Sequence, residues 1–501
     1  MRNSNKILSI DISSKNVKVG IISENLELES VSIQKYNVID EDVDGFAKRF
    51  DMDDIWNKVK LGIKKIIKEN KPENILGISS CGQRMATVFV NKQGYEIYGG
   101  PNTDMRGIDS AYLIEEKFSD EELFNITAHS PFLMFTLARL LWFKEEKEEQ
   151  YNNIGKLLML DDWLVYKFTG NYYTDYTSLG ESLLFDINKK EWSMEIIDAF
   201  DINLEILPEI VESSTVVGEL KKDLMKEVGI YQNSLPVFKG CGDTQANLLG
   251  MGATEDGNIG ITLGTTAPVH LIVEKPIIDP NLNFWTECHV IKNKWLIEAN
   301  TGGTGRAYDW FKSAFISDSN RDADDIMNEL YSRDVPGAGS TFAFLGPELM
   351  EIKDKTSIKR GVFIFPPPSM IGEELPKLQN FARSTIEGIC FGILENFKAL
   401  KKFAKSDLKT FCAGGMAKSN EFCKILANIL NQEIYIPQYK DSAFIGCAIN
   451  TLIGLKLYQN YRSIVDNLIK FESFSVDPII SNEYKKIFRK WKNLKSEVGK
   501  L

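Results

Sequence analysis

The sequence predicts an α/β protein built from two similar lobes with a cleft between them. Three observations predict it. The chain has 501 residues, whereas single cores stop growing near roughly 250–300 residues. It opens with a β-hairpin whose tip is short and polar, at Ser13-Ser14-Lys15-Asn16. A second hairpin, with a small hydroxyl-bearing tip at Gly264-Thr265-Thr266, recurs past the midpoint, so the halves read as a duplicated unit.

The elements follow in order. Ile7–Ile12 is mostly apolar and carries Asp11 near its end, Val17–Ile22 returns, and Leu28–Ile33 alternates as a neighbouring strand. Asp53–Asn70 has apolar residues at helical spacing (Ile55, Val59, Leu61, Ile63, Ile66, Ile67). Ile75–Ser80 is a short strand. A further apolar strand runs from Pro236 into Gly240-Cys241-Gly242-Asp243, and a helix is expected over Thr244–Met251. Asn258–Leu263 and Ala267–Val273 flank the second tip. Phe411-Cys412-Ala413 enters a double glycine, Gly414-Gly415, and a helix leaves at about Ser419. Pro366 to Pro376 reads as a surface loop. The lobes are expected as residues 1–246 and 247–501. The tail Tyr484–Leu501 is basic and amphipathic, a helix that could strap back across the first lobe.

Composition excludes several classes. Hydrophobic residues make up 43% and charged residues 26%, as in ordinary globular proteins. The formal net charge is −11, opposite to that of a typical nucleic-acid-binding domain. Lys-rich stretches such as Lys64-Lys65 and Lys401-Lys402 sit in helical patterns and read as solvated faces. The seven cysteines form no CxxC pair and read as buried thiols. Three histidines give little support to a His-based metal centre. The N-terminus turns polar too early for a secretory signal, and no apolar run reaches the roughly 18–20 residues of a membrane span. A cytoplasmic protein with no membrane or nucleic-acid partner is expected, with a homodimer as the default assembly.

Phosphoryl transfer to an alcohol needs a cradle of donors around the phosphates, a carboxylate to orient or deprotonate the alcohol, and Mg²⁺. Each has a candidate. Asp243 follows Gly-Cys-Gly at a strand end, where open α/β sheets put functional groups; it fits a catalytic base and equally a helix cap. Gly264-Thr265-Thr266 and Ser13-Ser14-Lys15 with Lys18 offer backbone N–H groups, hydroxyls and charge to phosphates, although plain β-turns explain the same residues. Asp11 faces that cradle and could hold Mg²⁺ through water. Gly414-Gly415 lets a nucleotide approach the backbone, and an ordinary strand-to-helix turn is the alternative.

Together these residues resemble a known family, the FGGY carbohydrate kinases. The resemblance rests on Asp11, Ser14 and Lys18, Gln83-Arg84, Thr103-Asp104-Met105-Arg106, Gly242-Asp243, Leu263-Gly264-Thr265-Thr266, Gly414-Gly415 and Asp441–Ala448. Ser130-Pro131-Phe132 with Leu140–Lys144, Asp161-Asp162-Trp163-Leu164, Phe168-Thr169-Gly170 and Leu183–Asp186 match as well. It spans about residues 6 to 492. It implies two actin-like, ribonuclease H-like lobes closing on ATP, Mg²⁺ and a small sugar. It implies Asp243 as catalytic base and, with Asp11, as a metal contact. It implies Ser13, Ser14, Lys15, Lys18, Gly264, Thr265, Thr266, Gly305, Gly414, Gly415 and Ser419 as ATP contacts. Gln83, Arg84, Asp104 and Asp243 fall where relatives hold sugar hydroxyls. Ser13 and Ser14 replace the usual Gly and Thr of the first loop. Met85 stands where glycerol kinases carry Glu, which counts against glycerol. Gln83-Arg84-Met85 departs from the Gln-Met-His of xylulokinases, whereas Gly-Asp-Thr-Gln, Asp-Trp-Leu and Asp279–His289 look like xylulokinases and autoinducer-2 kinases. The implied acceptor is a ketose or related linear polyol, phosphorylated at a primary hydroxyl. Alternatives are dihydroxypentanedione, erythritol, ribulose or gluconate; a non-catalytic sugar sensor and an ATPase switch are the rivals from other classes.

Overall fold

The computed structural model describes residues 5–130, 132–316, 321–350, 360–367, 375–405, 409–439 and 441–499. Much of the expected loop from Pro366 to Pro376 lies outside them. The described residues divide into two compact α/β units that interleave in sequence. The first comprises Met1–Thr254, Glu274–Leu296 and Asp441–Ile469; the second comprises Glu255–Val273, Ile297–Lys440 and Lys470–Leu501. A single division near residue 246 was expected, and the difference has a physical cause. Helix Ser442–Gly454 is apolar on nearly every side, and it packs on helix Asp243–Gly250. A Cβ on Gly446 would lie 2.0 Å from Ala246 O, and one on Gly250 would lie 1.8 Å from Ser442 O. Glycine on both helices lets the backbones touch, and that fit returns a late segment to the first unit.

In the first unit the central sheet has the order Val216–Glu219, Pro236–Phe238, Ile75–Gly82, Lys6–Ile12, Asn16–Ser23, Leu28–Lys35. Lys6–Ile12 pairs antiparallel with Asn16–Ser23 and parallel with Ile75–Gly82. Both faces of this strand are covered, so Ile7, Leu8, Ile10 and Ile12 are all buried, as the near-continuous apolar run requires. Helix Met52–Asn70 is capped by Asp51, which accepts from Asp54 N–H, and ends at the left-handed Lys71. It buries Ile55, Val59, Ile63, Ile66 and Ile67 against the sheet. Leu61, expected on the same stripe, is 52% exposed.

The second unit repeats the plan. Ile259–Thr262 pairs antiparallel with Pro268–Val273 and parallel with Thr410–Ala413. Ile434–Pro437 and Phe471–Phe474 continue that sheet. The C-terminal helix Pro478–Val498 starts at the cap Asp477 and buries Ser481, Tyr484, Phe488 and Trp491. These side chains pack within the second unit: Tyr484 meets Arg383, and Trp491 stacks on Phe344. The helix is therefore a core element of this unit, which corrects the expected strap over the first lobe. All seven cysteines are buried and unpaired with one another. No helix among the described residues is long and apolar enough to cross a membrane.

Candidate active site

Register brings the first set of candidate residues to one level. Asp11 lies beside Cys81, and Cys81 beside Cys241; Ile12 lies beside Gly82, and Gly82 beside Gly242. All these pairings are parallel, so three chains leave the sheet at the same end, where functional groups collect in open α/β folds. Ser13, Gln83 and Asp243 are the first residues out.

Asp243 opens helix Asp243–Gly250, with Gly242 as the capping residue. The carboxylate accepts hydrogen bonds from the backbone N–H groups of Thr244 and Arg84. Burial pushes its pKa up to about 6, against the pull of the Arg84 charge and with a push from Asp11. Asp11 is buried, receives Cys81 Sγ at 3.7 Å, and lies 3.3 Å from Lys18 Nζ, which also reaches Asp441 at 3.4 Å. Burial raises the Asp11 pKa although Lys18 opposes it. Lys18 is thus shared by two carboxylates at the foot of the first turn. In that turn Ser13 N–H donates to Asn16 O at 3.0 Å. None of residues 13–16 takes a left-handed conformation, so serine is accommodated where glycine is usual. Ser14 and Lys15 are exposed at the tip.

Gln83 Nε2 donates to Asn102 Oδ1 at 2.7 Å, while Gln83 Oε1 is buried without a donor. Arg84 Nη1 pairs with Glu181 Oε1 at 3.0 Å and Glu287 Oε1 at 2.7 Å. Gln245 Nε2 donates to the other oxygen of Glu287 at 2.8 Å, and Gln245 Oε1 is buried without a donor. Met85 next door is left-handed, at φ 61°, a strained state for a side chain of its size. The wholly buried Arg139 holds it there, donating to the carbonyls of Met85, Met134, Gly100 and Pro101. Glu181, Asn102 and Arg139 were not singled out from the sequence, and Gln245 and Glu287 appeared there only as members of longer segments, with no role assigned. The available signal was a lone charge in an apolar run, as at Glu287 in Trp285-Thr286-Glu287-Cys288.

Asp104, expected as a sugar contact, has three strong partners within the protein. It is wholly buried and accepts from the Tyr98 hydroxyl, Arg106 Nε at 2.7 Å and Lys48 N–H at 2.8 Å. These donors occupy both oxygens, so the carboxylate fastens the Lys48–Phe50 strand to the loop that carries Asn102. The strand that leads to Asp243 carries a charge cluster whose pairing was not foreseen. Lys239, fully buried, pairs with Asp161, with Asp162 at 3.1 Å and with Asp175 at 3.0 Å. Burial pushes Asp162 up to about 8 despite Lys239, with Asp161 and Asp175 adding to the rise.

The remaining candidates belong to the second unit. Gly264, Thr265, Gly305, Gly415 and Ser419 line one cavity of about 600 Å³, together with Tyr308, Lys312, Tyr331 and Phe422. Gly305 N–H donates to Thr265 O at 3.0 Å, which draws the helix Thr304–Phe315 onto the hairpin tip. Ser419 caps helix Asn420–Leu430, accepting from Phe422 N–H, and shares a 2.6 Å hydrogen bond with Tyr331 Oη. The two glycines of the turn differ. Gly414 sits at φ 123° with Leu263 O only 2.4 Å from where a Cβ would be, whereas a Cβ on Gly415 would meet nothing within 4 Å. Gly414 is needed by the fold; Gly415 leaves an open backbone surface on the cavity. Thr266 and Gly414 do not line it. An open peptide surface beside small hydroxyl residues and aromatic walls fits a nucleotide.

Residues 6–250 match the model for the N-terminal domain of the FGGY family of carbohydrate kinases, and residues 259–455 match that for its C-terminal domain. The chain is 25% identical over 499 residues to the xylulose kinase of Staphylococcus xylosus, covering 97% of this chain and 99% of that one. It is 24% identical over 449 residues to the autoinducer-2 kinase of Yersinia enterocolitica, covering 86% of this chain and 82% of the other. Its fold matches the ligand-bound xylulose kinase of Lactobacillus acidophilus with a TM-score of 0.87, at 20% identity, over 99% of this chain and 98% of that structure.

Proposed function

Since the chain belongs to the FGGY family of carbohydrate kinases and is itself a carbohydrate kinase, we propose that it transfers the γ-phosphoryl group of ATP to a primary hydroxyl of a small ketose such as xylulose, or of a related linear polyol. The observation that carries the reading is Asp243. It is a carboxylate at a parallel strand end, held by two backbone N–H groups, with a pKa pushed up to about 6. A base poised just below neutral pH is ionised in the resting enzyme and still accepts a proton readily.

On this reading the acceptor hydroxyl hydrogen-bonds to an Asp243 oxygen. The proton passes to that oxygen as the hydroxyl oxygen attacks the γ-phosphorus in line, and the bond from phosphorus to the bridging oxygen breaks to release ADP. Gln83 and Gln245 offer buried acceptor oxygens to neighbouring hydroxyls. In the second unit, the peptide groups of Gly264, Thr265 and Gly415 and the hydroxyl of Thr265 are the proposed nucleotide contacts; in the first unit, Ser13, Ser14, Lys15 and Lys18 are the proposed phosphate contacts. Mg²⁺ would be held through water by Asp11 and Asp243 and would neutralise charge on the phosphates. Dihydroxypentanedione is the second reading, favoured by the likeness to the Yersinia kinase.

The test is a coupled ADP-release assay across pentuloses, hexuloses, tetritols and dihydroxypentanedione. Sugar-dependent ADP release with one ketose strongly preferred supports the reading. ATP hydrolysis indifferent to every sugar would sink it and favour an ATPase switch.

A further inference from the structure

Arg84 borders Asp243: its backbone N–H donates to the Asp243 carboxylate. A guanidinium there is the group that would grip a sugar acid, because its planar fork matches a carboxylate. In this chain the guanidinium is already taken. Glu181 reaches it at 3.0 Å and Glu287 at 2.7 Å, and both glutamate side chains are at most 1% exposed. Glu287 is fixed in turn by Gln245 at 2.8 Å. Two buried carboxylates therefore share the one guanidinium.

A second observation points the same way. Gln83 Oε1 and Gln245 Oε1 are buried acceptors with no donor. A hydroxyl brings a proton to such an oxygen; a carboxylate brings none.

Resting on the kinase reading above, we infer that Glu181 and Glu287 are specificity residues that restrict the acceptor to uncharged ketoses and polyols and exclude aldonates and other sugar acids. An acidic substituent entering here meets two buried carboxylates and a guanidinium already paired with them. A like-charge contact of that kind lowers affinity by about a hundredfold or more. The two glutamates act on the acceptor by holding Arg84 and by their own field, and the proton transfer stays with Asp243.

The experiment uses the full-length enzyme. ADP release is measured with D-xylulose and D-gluconate, and binding of both sugars is measured by calorimetry without ATP. Wild-type kcat/KM is expected to favour xylulose by about a hundredfold or more, with E181Q and E287Q each narrowing the ratio by about tenfold, mainly through the gluconate KM. Equal use of gluconate by the wild type overturns the inference. So does an unchanged ratio in either variant whose melting temperature shows it to be folded. If no sugar releases ADP, the kinase reading fails while calorimetry still decides the specificity: binding of xylulose without gluconate supports it, and failure to discriminate overturns it.

Discussion

Gly242 donates its backbone N–H to Thr177 Oγ1 at 3.0 Å, and Thr177 passes the connection to Asp175 Oδ2 at 2.7 Å. Asp175 is bound to Lys239, so the turn that presents Asp243 hangs from a buried charge cluster. Thr177→Val removes the hydroxyl and leaves a buried N–H unpaired. The expected result is a loss of about 1–2 kcal/mol of stability and a fall in kcat of about tenfold, because small displacements of a base are costly. Chemical denaturation and steady-state kinetics check both, and the ATP dissociation constant should stay put.

Lys239→Met leaves Asp161, Asp162 and Asp175 buried without their cation. Removing one partner of a buried ionic cluster costs about 3–5 kcal/mol. Denaturant midpoints should show this. A variant as stable as the wild type would mean that the aspartates are already neutral in the folded protein.

Asp243→Asn should nearly abolish turnover while ATP affinity, read by calorimetry, stays close to normal. The same change should not destabilise the protein. A carboxyl whose folded pKa lies above its unfolded value binds protons more readily when folded, so its contribution to stability is present at low pH and lost as pH rises through about 6. At neutral pH the buried charge opposes folding, and asparagine relieves about 1 kcal/mol of that. Thermal unfolding at pH 5 and pH 8 checks the sign: the gain should appear at pH 8 and shrink at pH 5.

The same pKa sets the pH profile. As pH falls through about 6, Asp243 takes a proton and cannot act as base, so kcat/KM should fall about tenfold per unit below that point. A profile flat down to pH 5 would remove Asp243 from the role.

Gly414→Ala and Gly415→Ala separate fold from binding. At Gly414 a side chain meets Leu263 O at 2.4 Å with φ 123°, so a loss of about 1–3 kcal/mol is expected. At Gly415 nothing lies within 4 Å; stability should hold within about 0.5 kcal/mol while the KM for ATP rises. Melting curves and ATP titrations distinguish the two variants.

The duplicated hairpins, the strand-end position of Asp243 and the double-glycine turn were legible because each depends on neighbours in sequence: apolar alternation, turn residues and a helix start. Glu181 and Glu287 were not, since they stand 106 positions apart and only their shared bond to Arg84 gives them meaning. Asp104 raises a related point. Its motif marks its position in the chain, whereas Tyr98, Arg106 and Lys48 decide whether its oxygens are available.

By itself the sequence determined the elements, the family and the identity of the candidate base, because periodicity and turn chemistry are local. Only the tertiary structure decided that Ser442–Gly454 belongs with the first unit, that Arg84 is paired with two buried glutamates, and that the turn before Asp243 is tied through Thr177 and Asp175 to a buried lysine. Those outcomes depend on backbone approach and charge pairing between residues far apart in the chain, and desolvation sets their sign once burial is known.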